Sequence, residues 1–180
     1  QVEDWPHARQ VERLANKLFS ATQPLHNLDE AARRLLTRAA FLHNAGMLIE
    51  VRGHHKHSYR LIKETPLPGF TEQERNEIAC IARYHRRALP STLHEEFAQL
   101  KPKARKRVSA LAALVRIADA LDFNHDGRNS LFVMEGESSF RLLSNVGGRF
   151  EPLGDPLPGK PGAAYRRALV GDLNNDRLED

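Results

Sequence analysis

Apolar residues recur with a helical period through the first two thirds of the chain. Near the N-terminus, Val11, Leu14, Ala15, Leu18 and Phe19 follow one another at spacings of one to four residues, which predicts an amphipathic helix. Similar patterns predict helices over residues 29–49, 54–62, 71–89 and 102–121, with a minor helix or turn over residues 91–100. The fold class is therefore predicted to be mainly α.

Capping residues support several of these boundaries. Asp4 can cap the first helix, and Pro6 falls in the first turn, where no backbone N–H is needed. Thr71 followed by Glu74 has the spacing of a capping box. Gly46 lies inside the second predicted helix, which indicates close packing there or the end of the helix.

The pattern changes after Phe123. Residues 130–135 and 140–144 are predicted to be strands joined by a glycine-containing turn, and residues 147–163 are rich in Gly and Pro with little periodicity. The chain is therefore divided into a helical domain, residues 1–123, and a small β-containing or irregular C-terminal region, residues 124–180.

Charge changes the picture more than overall composition does. The net charge of the 180 residues is +4, but residues 51–107 hold 13 Lys and Arg against 6 Asp and Glu. Five of the nine histidines lie in the same segment. This excess predicts an anionic partner, the alternative being a solvated basic surface. One cysteine excludes an internal disulfide, and no apolar run reaches the roughly 20 residues of a membrane span, so a cytoplasmic protein is expected. Since the chain begins at Gln1, it is interpreted as a piece of a longer protein.

Several polar side chains interrupt the apolar helices. His43 and Asn44 lie in the second helix, and Asp119 lies in the last one. A buried polar group needs a partner, and imidazole and carboxylate groups from facing helices are typical ligands of a divalent metal. Taken singly, each histidine is more simply explained as a hydrogen-bonded core or surface residue, so the prediction depends on the set as a whole.

The order of these residues resembles the signature of HD-domain metal phosphohydrolases. Histidine, then a His-Asp pair followed by a small residue and Gly, then Asp is read here as His7, His43-Asn44 and Asp119. Residues 7–19, 41–62, 81–90 and 115–122 resemble more specifically the C-terminal HD-like domain of the exopolyphosphatase/guanosine pentaphosphatase (Ppx/GppA) family. The resemblance covers residues 4–123 and implies an HD-type helical bundle with a small β-containing appendage.

The resemblance implies metal ligands at His7, His43, Asn44 and Asp119, with His57 and His85 as candidates for a second metal. Asn44 departs from the family signature, which has Asp there. Asn is neutral and bridges two cations poorly, so one divalent metal (Mn, Fe, Ni, Zn or Mg) or none is favoured over two.

In the Ppx/GppA family, phosphate cleavage belongs to an N-terminal half with an actin-like fold, and no counterpart precedes His7. The C-terminal region contributes to polyphosphate binding and dimer formation. The resemblance therefore implies polyphosphate or another phosphorylated anion as a partner and a homodimer. The candidate polyphosphate-binding residues are Arg52, His54, His55, Lys56, Arg60, Arg83, Arg86 and Arg87, because arginine can donate paired hydrogen bonds to phosphate. Residues 101–107 form a second basic patch.

Three functions are weighed. The favoured one is an accessory domain of an exopolyphosphatase-type protein that binds polyphosphate and dimerises. The alternative is a metal-dependent HD-family phosphohydrolase acting on a phosphate ester or anhydride, which the five metal-type residues favour and Asn44 disfavours. Nucleic-acid binding is the least favoured, because few aromatic residues accompany the basic ones.

Overall fold

The computed structural model describes residues 5–122 and, beyond them, only the backbone of four strand segments between residues 130 and 158. Residues 5–122 are mainly helical, which confirms the predicted fold class. The helices are α1 (Trp5–Ala21), α2 (Gln23–His26), α3 (Glu30–Leu42), α4 (His54–Glu64), α5 (Glu72–Arg83), α6 (Glu95–Ala98) and α7 (Pro102–Ala120), with a 3₁₀ helix at Ala45–Leu48.

The long helices pack around one core. Helix α1 packs against α3 and α7, and α5 contacts α3, α4 and α7. The predicted stripe of α1 is buried at Val11, Leu14, Ala15 and Phe19. Each helix thus directs its apolar face inward, so polar residues on those faces are brought together in the interior.

The predicted capping box at Thr71 is confirmed, the predicted cap Asp4 lies outside the described residues, and α3 has a cap at Asp29 that was not predicted. The Asp29 side chain accepts a hydrogen bond from the backbone N–H of Ala32 at the start of α3. Thr71 and Glu74 form the full capping box of α5. In both cases a side chain satisfies a backbone N–H that has no partner within the helix.

The predicted helix over residues 29–49 was wrong at its C-terminal end. Helix α3 stops at Leu42, and a 3₁₀ helix follows after His43 and Asn44. Gly46 explains the close approach of this segment to α4, because a Cβ there would collide with the backbone oxygen of His54. The N–H of Gly46 instead donates to Ser58 Oγ at 2.8 Å. The end of α3 at Leu42 thus allows the Gly46 segment to contact α4.

Helix α5 ends at Arg83, six residues before the predicted end. Arg116 of α7 donates hydrogen bonds to the backbone oxygens of Tyr84, Arg87 and Ala88, each at 3.3 Å. Arg87 has a φ of 59°, a left-handed conformation that a helix cannot contain. The segment after α5 is therefore held as an irregular loop by a cation that local sequence patterns do not reveal.

Beyond residue 122, the structure describes four strands. β1 (Ser130–Glu135) and β2 (Ser139–Val146) are antiparallel, and the sequence predicted strands at 130–135 and 140–144. β3 (Arg149–Pro152) and β4 (Leu157–Pro158) also pair with β2, within a stretch predicted to have little regular structure. The division at residue 123 remains a prediction. Among the described residues, no helix combines the length and hydropathy needed to cross a membrane.

Candidate metal centre and surrounding charges

His7 lies at the start of α1 with its ring fully buried. Its Nδ1 is 2.7 Å from Oδ2 of Asp122, just beyond the end of α7. Since a carboxylate can only accept, Nδ1 carries the proton. Because Nδ1 points toward Asp122, the Nε2 atom on the other side of the ring faces Asp119, whose Oδ1 is 3.1 Å away.

His43 follows the last residue of α3 and is also fully buried. Its Nδ1 donates to the backbone oxygen of Ala40 at 2.6 Å. The Nε2 atom lies 3.3 Å from Nε2 of His7 and 3.2 Å from Oδ1 of Asp119. Two imidazole nitrogens and one carboxylate oxygen, from the starts or ends of three helices, therefore meet at one point.

A second pair of histidines continues this cluster. The rings of His43 and His85 lie edge to face with centroids 4.9 Å apart. His85 Nδ1 donates to Ala82 O at 2.6 Å, and His54 Nδ1 donates to Val51 O at 2.9 Å. The Nε2 atoms of His54 and His85 then face each other at 3.3 Å.

The donor set fits a divalent cation. If His7 and His43 are both neutral with their protons on Nδ1, their Nε2 lone pairs point at each other, which is unfavourable unless a metal ion or a proton lies between them. Two ligand atoms about 2.1 Å from a tetrahedral Zn²⁺ are about 3.4 Å apart, close to the 3.1–3.3 Å separations among His7, His43 and Asp119. The hydrogen bonds to Nδ1 are the outer contacts that orient metal-ligating histidines.

The charges of the first three residues favour a cation. Burial lowers the pKa of His7, but the carboxylates of Asp119 and Asp122 outweigh it and raise this pKa to about 9. Burial raises the pKa of Asp119, while hydrogen bonds with His43 and His7 outweigh that effect and hold it well below the usual range. A proton on His7 therefore occupies the same electrostatic position that a metal would take.

The second pair differs because its environment disfavours protons. Burial lowers the pKa of His54 and lowers that of His85 further. Both rings are accordingly neutral at pH 7. Two neutral imidazoles with facing lone pairs are suited to ligate a metal but not to share a proton.

Asn44 stands where the HD signature has Asp, next to His43 at the end of α3. Its side-chain Oδ1 is buried and has no hydrogen-bond partner among the described residues. A buried amide oxygen without a partner costs free energy unless it binds a cation or water. Asn44 is therefore available as a neutral oxygen ligand beside His43.

His57 does not join the cluster. It is partly exposed on α4, and its Nε2 lies 3.6 Å from Oε2 of Glu50. His54, three residues earlier, occupies the position beside His85 instead. The sequence could not show which of His54 and His57 would face His85, because they are three residues apart on one helix. The answer depends on which face of α4 packs against α5.

Asp122 was missed as a site residue. Its spacing from Val108, Leu111, Val115 and Ala118 puts it on the same face of the last predicted helix, and it is fully buried. A charged residue on an apolar face was the available signal.

The candidate phosphate-binding residues fall into two groups. Lys56, Arg60 and Arg87 are exposed, and Arg86 lies close enough to His54 to lower its pKa. His54 and His55 are buried. Burial and the nearby Arg83 lower the pKa of His55 to about 4, so at pH 7 neither histidine contributes positive charge.

Two further cations are already engaged. Arg83 forms an ion pair with Glu96, and both side chains are largely buried. Arg107, in the basic patch at residues 101–107, forms two hydrogen bonds with the fully buried Glu77 at 2.7 and 2.8 Å. Both arginines therefore have structural partners that an anion would have to displace.

A helical bundle thus brings His7, His43 and Asp119, from the starts or ends of three helices, to one buried point. Comparison with known families then identifies the chain. The family model described as "Ppx/GppA phosphatase, domain III" matches residues 2–139, and the chain belongs to this family.

Curated relatives agree with the family match. The chain is 28% identical over 143 residues to a guanosine-5'-triphosphate,3'-diphosphate pyrophosphatase of Pseudoalteromonas atlantica, covering 78% of this chain and 28% of that protein. A protein of the same name from Photobacterium profundum is 31% identical over 134 residues, covering 74% and 27%. The Pseudoalteromonas translucida protein is 46% identical over 52 residues, covering 29% and 10%. The matched segments thus span little more than a quarter of the length of the first two relatives and a tenth of the third.

Proposed function

We propose that this domain binds a divalent metal through His7, His43 and Asp119, and that it holds a phosphate chain nearby as the accessory part of a Ppx/GppA phosphatase. The observation that supports the metal most directly is the convergence of the two Nε2 atoms and Oδ1 at 3.1–3.3 Å. Asn44 Oδ1 is a further candidate ligand. When bound, the metal would neutralise phosphoryl oxygens.

Imidazole-rich donors favour Zn, Fe, Ni or Mn over Mg, which prefers oxygen ligands. The test is metal analysis of the purified chain after exposure to each cation and gel filtration. Stoichiometric metal that is lost in His43→Ala supports the proposal. A parent chain that retains no metal under any of these conditions would contradict it.

A matched pair of variants tests the second position. His54→Ala removes a ring facing His85, whereas His57→Ala removes a partly exposed ring paired with Glu50. If a second metal binds, its stoichiometry falls in His54→Ala and persists in His57→Ala. Co²⁺ absorption would report the number of imidazole ligands in each variant.

The phosphate chain is the second part of the proposal. The relatives' name describes pyrophosphatases of a guanosine nucleotide, and the excess of cations over residues 51–107 suits such anions or inorganic polyphosphate. We expect Arg86→Gln with Arg87→Gln to weaken polyphosphate binding by at least tenfold. The same charge is removed by Arg9→Gln with Lys17→Gln on α1, and this control should bind as the parent does. Binding that is insensitive to salt would contradict the electrostatic basis.

Dimerisation is also proposed, since the family resemblance implies it. Leu48, Ile49 and Val51 are 58%, 58% and 47% exposed and form a candidate contact surface. We expect Ile49→Lys to shift sedimentation from dimer to monomer, while Leu93→Lys, at a position 93% exposed, does not. A monomeric parent chain would reject this part alone.

A metal-dependent phosphohydrolase is the second candidate function. It is favoured by the adjacent His54–His85 pair, which offers ligands for a second cation. Asn44→Asp restores the negative charge that the family signature has there. We expect this variant to bind metal more tightly and, if the second function is right, to raise metal-dependent hydrolysis of a phosphate ester above that of the parent chain. Tighter metal binding without hydrolysis would leave only the accessory role.

A further inference from the structure

A groove of about 320 Å³ runs along the exposed face of α3. Its walls include Arg33, Arg34 and Arg38 from the helix and Phe70 from the segment before α5. None of these residues belongs to the histidine centre or to the candidate phosphate-binding set. The volume is at the lower end of the range of small-ligand sites.

Two arginines in the groove are held by one aromatic ring. The guanidinium carbon of Arg34 lies 5.2 Å from the centroid of Phe70, and that of Arg38 lies 5.9 Å from it. The ring face attracts both cations. Both guanidinium groups therefore lie against the same ring in the groove.

The charges in the groove are only partly compensated. Glu30 pairs with Arg33 at 2.9 Å, and Arg33 also donates to Ser20 Oγ. Among the described residues, Arg34 donates one hydrogen bond, to the backbone oxygen of Gly69 at 3.0 Å. Arg38 makes no ion pair or hydrogen bond within the part of the chain that the structure describes.

One further carboxylate lies near. Arg34 contributes to the lowered pKa of Glu74, but hydrogen bonds from Thr71 are the main cause. Glu74 accepts hydrogen bonds from both the backbone N–H and the hydroxyl of Thr71 and is part of the α5 capping box. Within residues 5–122, neither Arg34 nor Arg38 forms an ion pair with a carboxylate.

We propose that the two guanidinium groups of Arg34 and Arg38 bind a small, multiply charged oxyanion of the phosphate or pyrophosphate class in this groove. Four residues apart on one helix, the two side chains lie on the same face. Each planar fork can donate a pair of hydrogen bonds to phosphoryl oxygens. The bound anion removes the repulsion between the cations, and the Phe70 ring orients them before it arrives.

The probe is inorganic pyrophosphate, titrated into the chain by calorimetry at low ionic strength. We expect Arg34→Gln with Arg38→Gln to weaken binding at this site at least tenfold. The variant Arg34→Lys with Arg38→Lys keeps the charge but loses the paired hydrogen bonds, and we expect an intermediate loss. Phe70→Leu should also weaken binding, because it releases the guanidinium groups. Far-UV circular dichroism verifies that each variant is folded.

Two controls separate this site from general surface charge and from the proposed function. Arg9→Gln with Lys17→Gln removes two exposed positive charges from α1 and should leave pyrophosphate binding unchanged. Arg86→Gln with Arg87→Gln should leave the groove site intact even if it abolishes polyphosphate binding. Unchanged binding in the Arg34/Arg38 glutamine variant, or an equal loss in the Arg9/Lys17 control, would overturn the proposal. Parent-like binding by the lysine variant would overturn the role of the guanidinium forks.

Discussion

His7 at the start of α1 donates its Nδ1 proton to Asp122, which lies 115 residues later and is fully buried. The contact sets the tautomer of His7 and directs Nε2 toward Asp119 and His43. Because Asp122 does not itself reach the converging atoms, it acts on the centre through His7.

Asp122→Asn should therefore weaken metal binding without removing a ligand. An amide can donate to Nδ1, which would favour the tautomer with the proton on Nε2, the ligating atom. We expect metal affinity to fall about 10- to 100-fold, as is typical for such outer contacts. Calorimetric titration with Zn²⁺ measures the change. Glu64→Gln, an exposed carboxylate at the end of α4, is the control, and an equal effect there would contradict the role of Asp122.

The metal-free chain should lose stability as pH rises. The pKa of His7 is about 9 in the folded chain, against an ordinary value of 6.5. Folding therefore binds the proton more tightly, so the stabilisation is complete below about pH 6.5 and is lost as pH rises through about 9. The full effect is on the order of 3 kcal/mol.

Urea denaturation in EDTA at pH 6, 7.5 and 9.5 measures this dependence. His7→Gln should flatten the pH profile over the same interval, because it removes the titrating group. A parent chain whose stability is constant from pH 6 to 9.5 would show that the proton on His7 is not held as the contacts indicate. Metal affinity should change in the opposite direction and rise with pH, since the metal replaces that proton.

Gly46→Ala should displace α4, whereas a glycine-to-alanine substitution at an exposed position would not. The added Cβ would meet backbone atoms of His54 and Ser58 and the Cβ of His57, which cannot move independently of the helix. We expect a loss of about 1–3 kcal/mol in the free energy of unfolding, accompanied by loss of any metal held by His54 and His85. Thermal denaturation and metal analysis test the two effects. Ala45→Gly, one residue earlier, should leave the metal content unchanged.

Arg107→Ala should be strongly destabilising. It leaves the carboxylate of Glu77, which is fully buried, without its two hydrogen bonds. Breaking a buried pair from one side costs about 3–5 kcal/mol. Urea denaturation measures the loss, and adding Glu77→Gln should recover part of it. Arg105→Ala in the same basic patch should change stability by no more than about 0.5 kcal/mol.

Local pattern was sufficient to predict most helices and their starts. The stripe of α1 and the Thr71–Glu74 box depend on residues that are close together in the chain, so the sequence displays them directly. The ends of α3 and α5 were missed for the opposite reason. The end of α3 depends on the close contact of Gly46 with α4, and the end of α5 depends on hydrogen bonds from Arg116 to backbone oxygens about 30 residues away. Contacts of that range have no local period.

The candidate site divides in the same way. His7, His43 and Asp119 were predicted from their order and their polar character on apolar helices, and the structure brings their ligand atoms together. The sequence predicted His57 as a second-metal ligand, but the structure has His54 facing His85 instead. The two histidines are one turn apart on α4, and only the packing of α4 against α5 decides which one is buried. The metal itself remains a proposal.

The sequence by itself determined the helical class, several capping residues and the polar residues that the core must accommodate, because those properties depend on composition and short-range spacing. Only the tertiary structure decided which nitrogen of each histidine faces the centre, that Asp122 orients His7, and which arginines are already paired. These depend on distances between residues far apart in the chain, such as His7 and Asp122 or Glu77 and Arg107, and packing alone sets those distances.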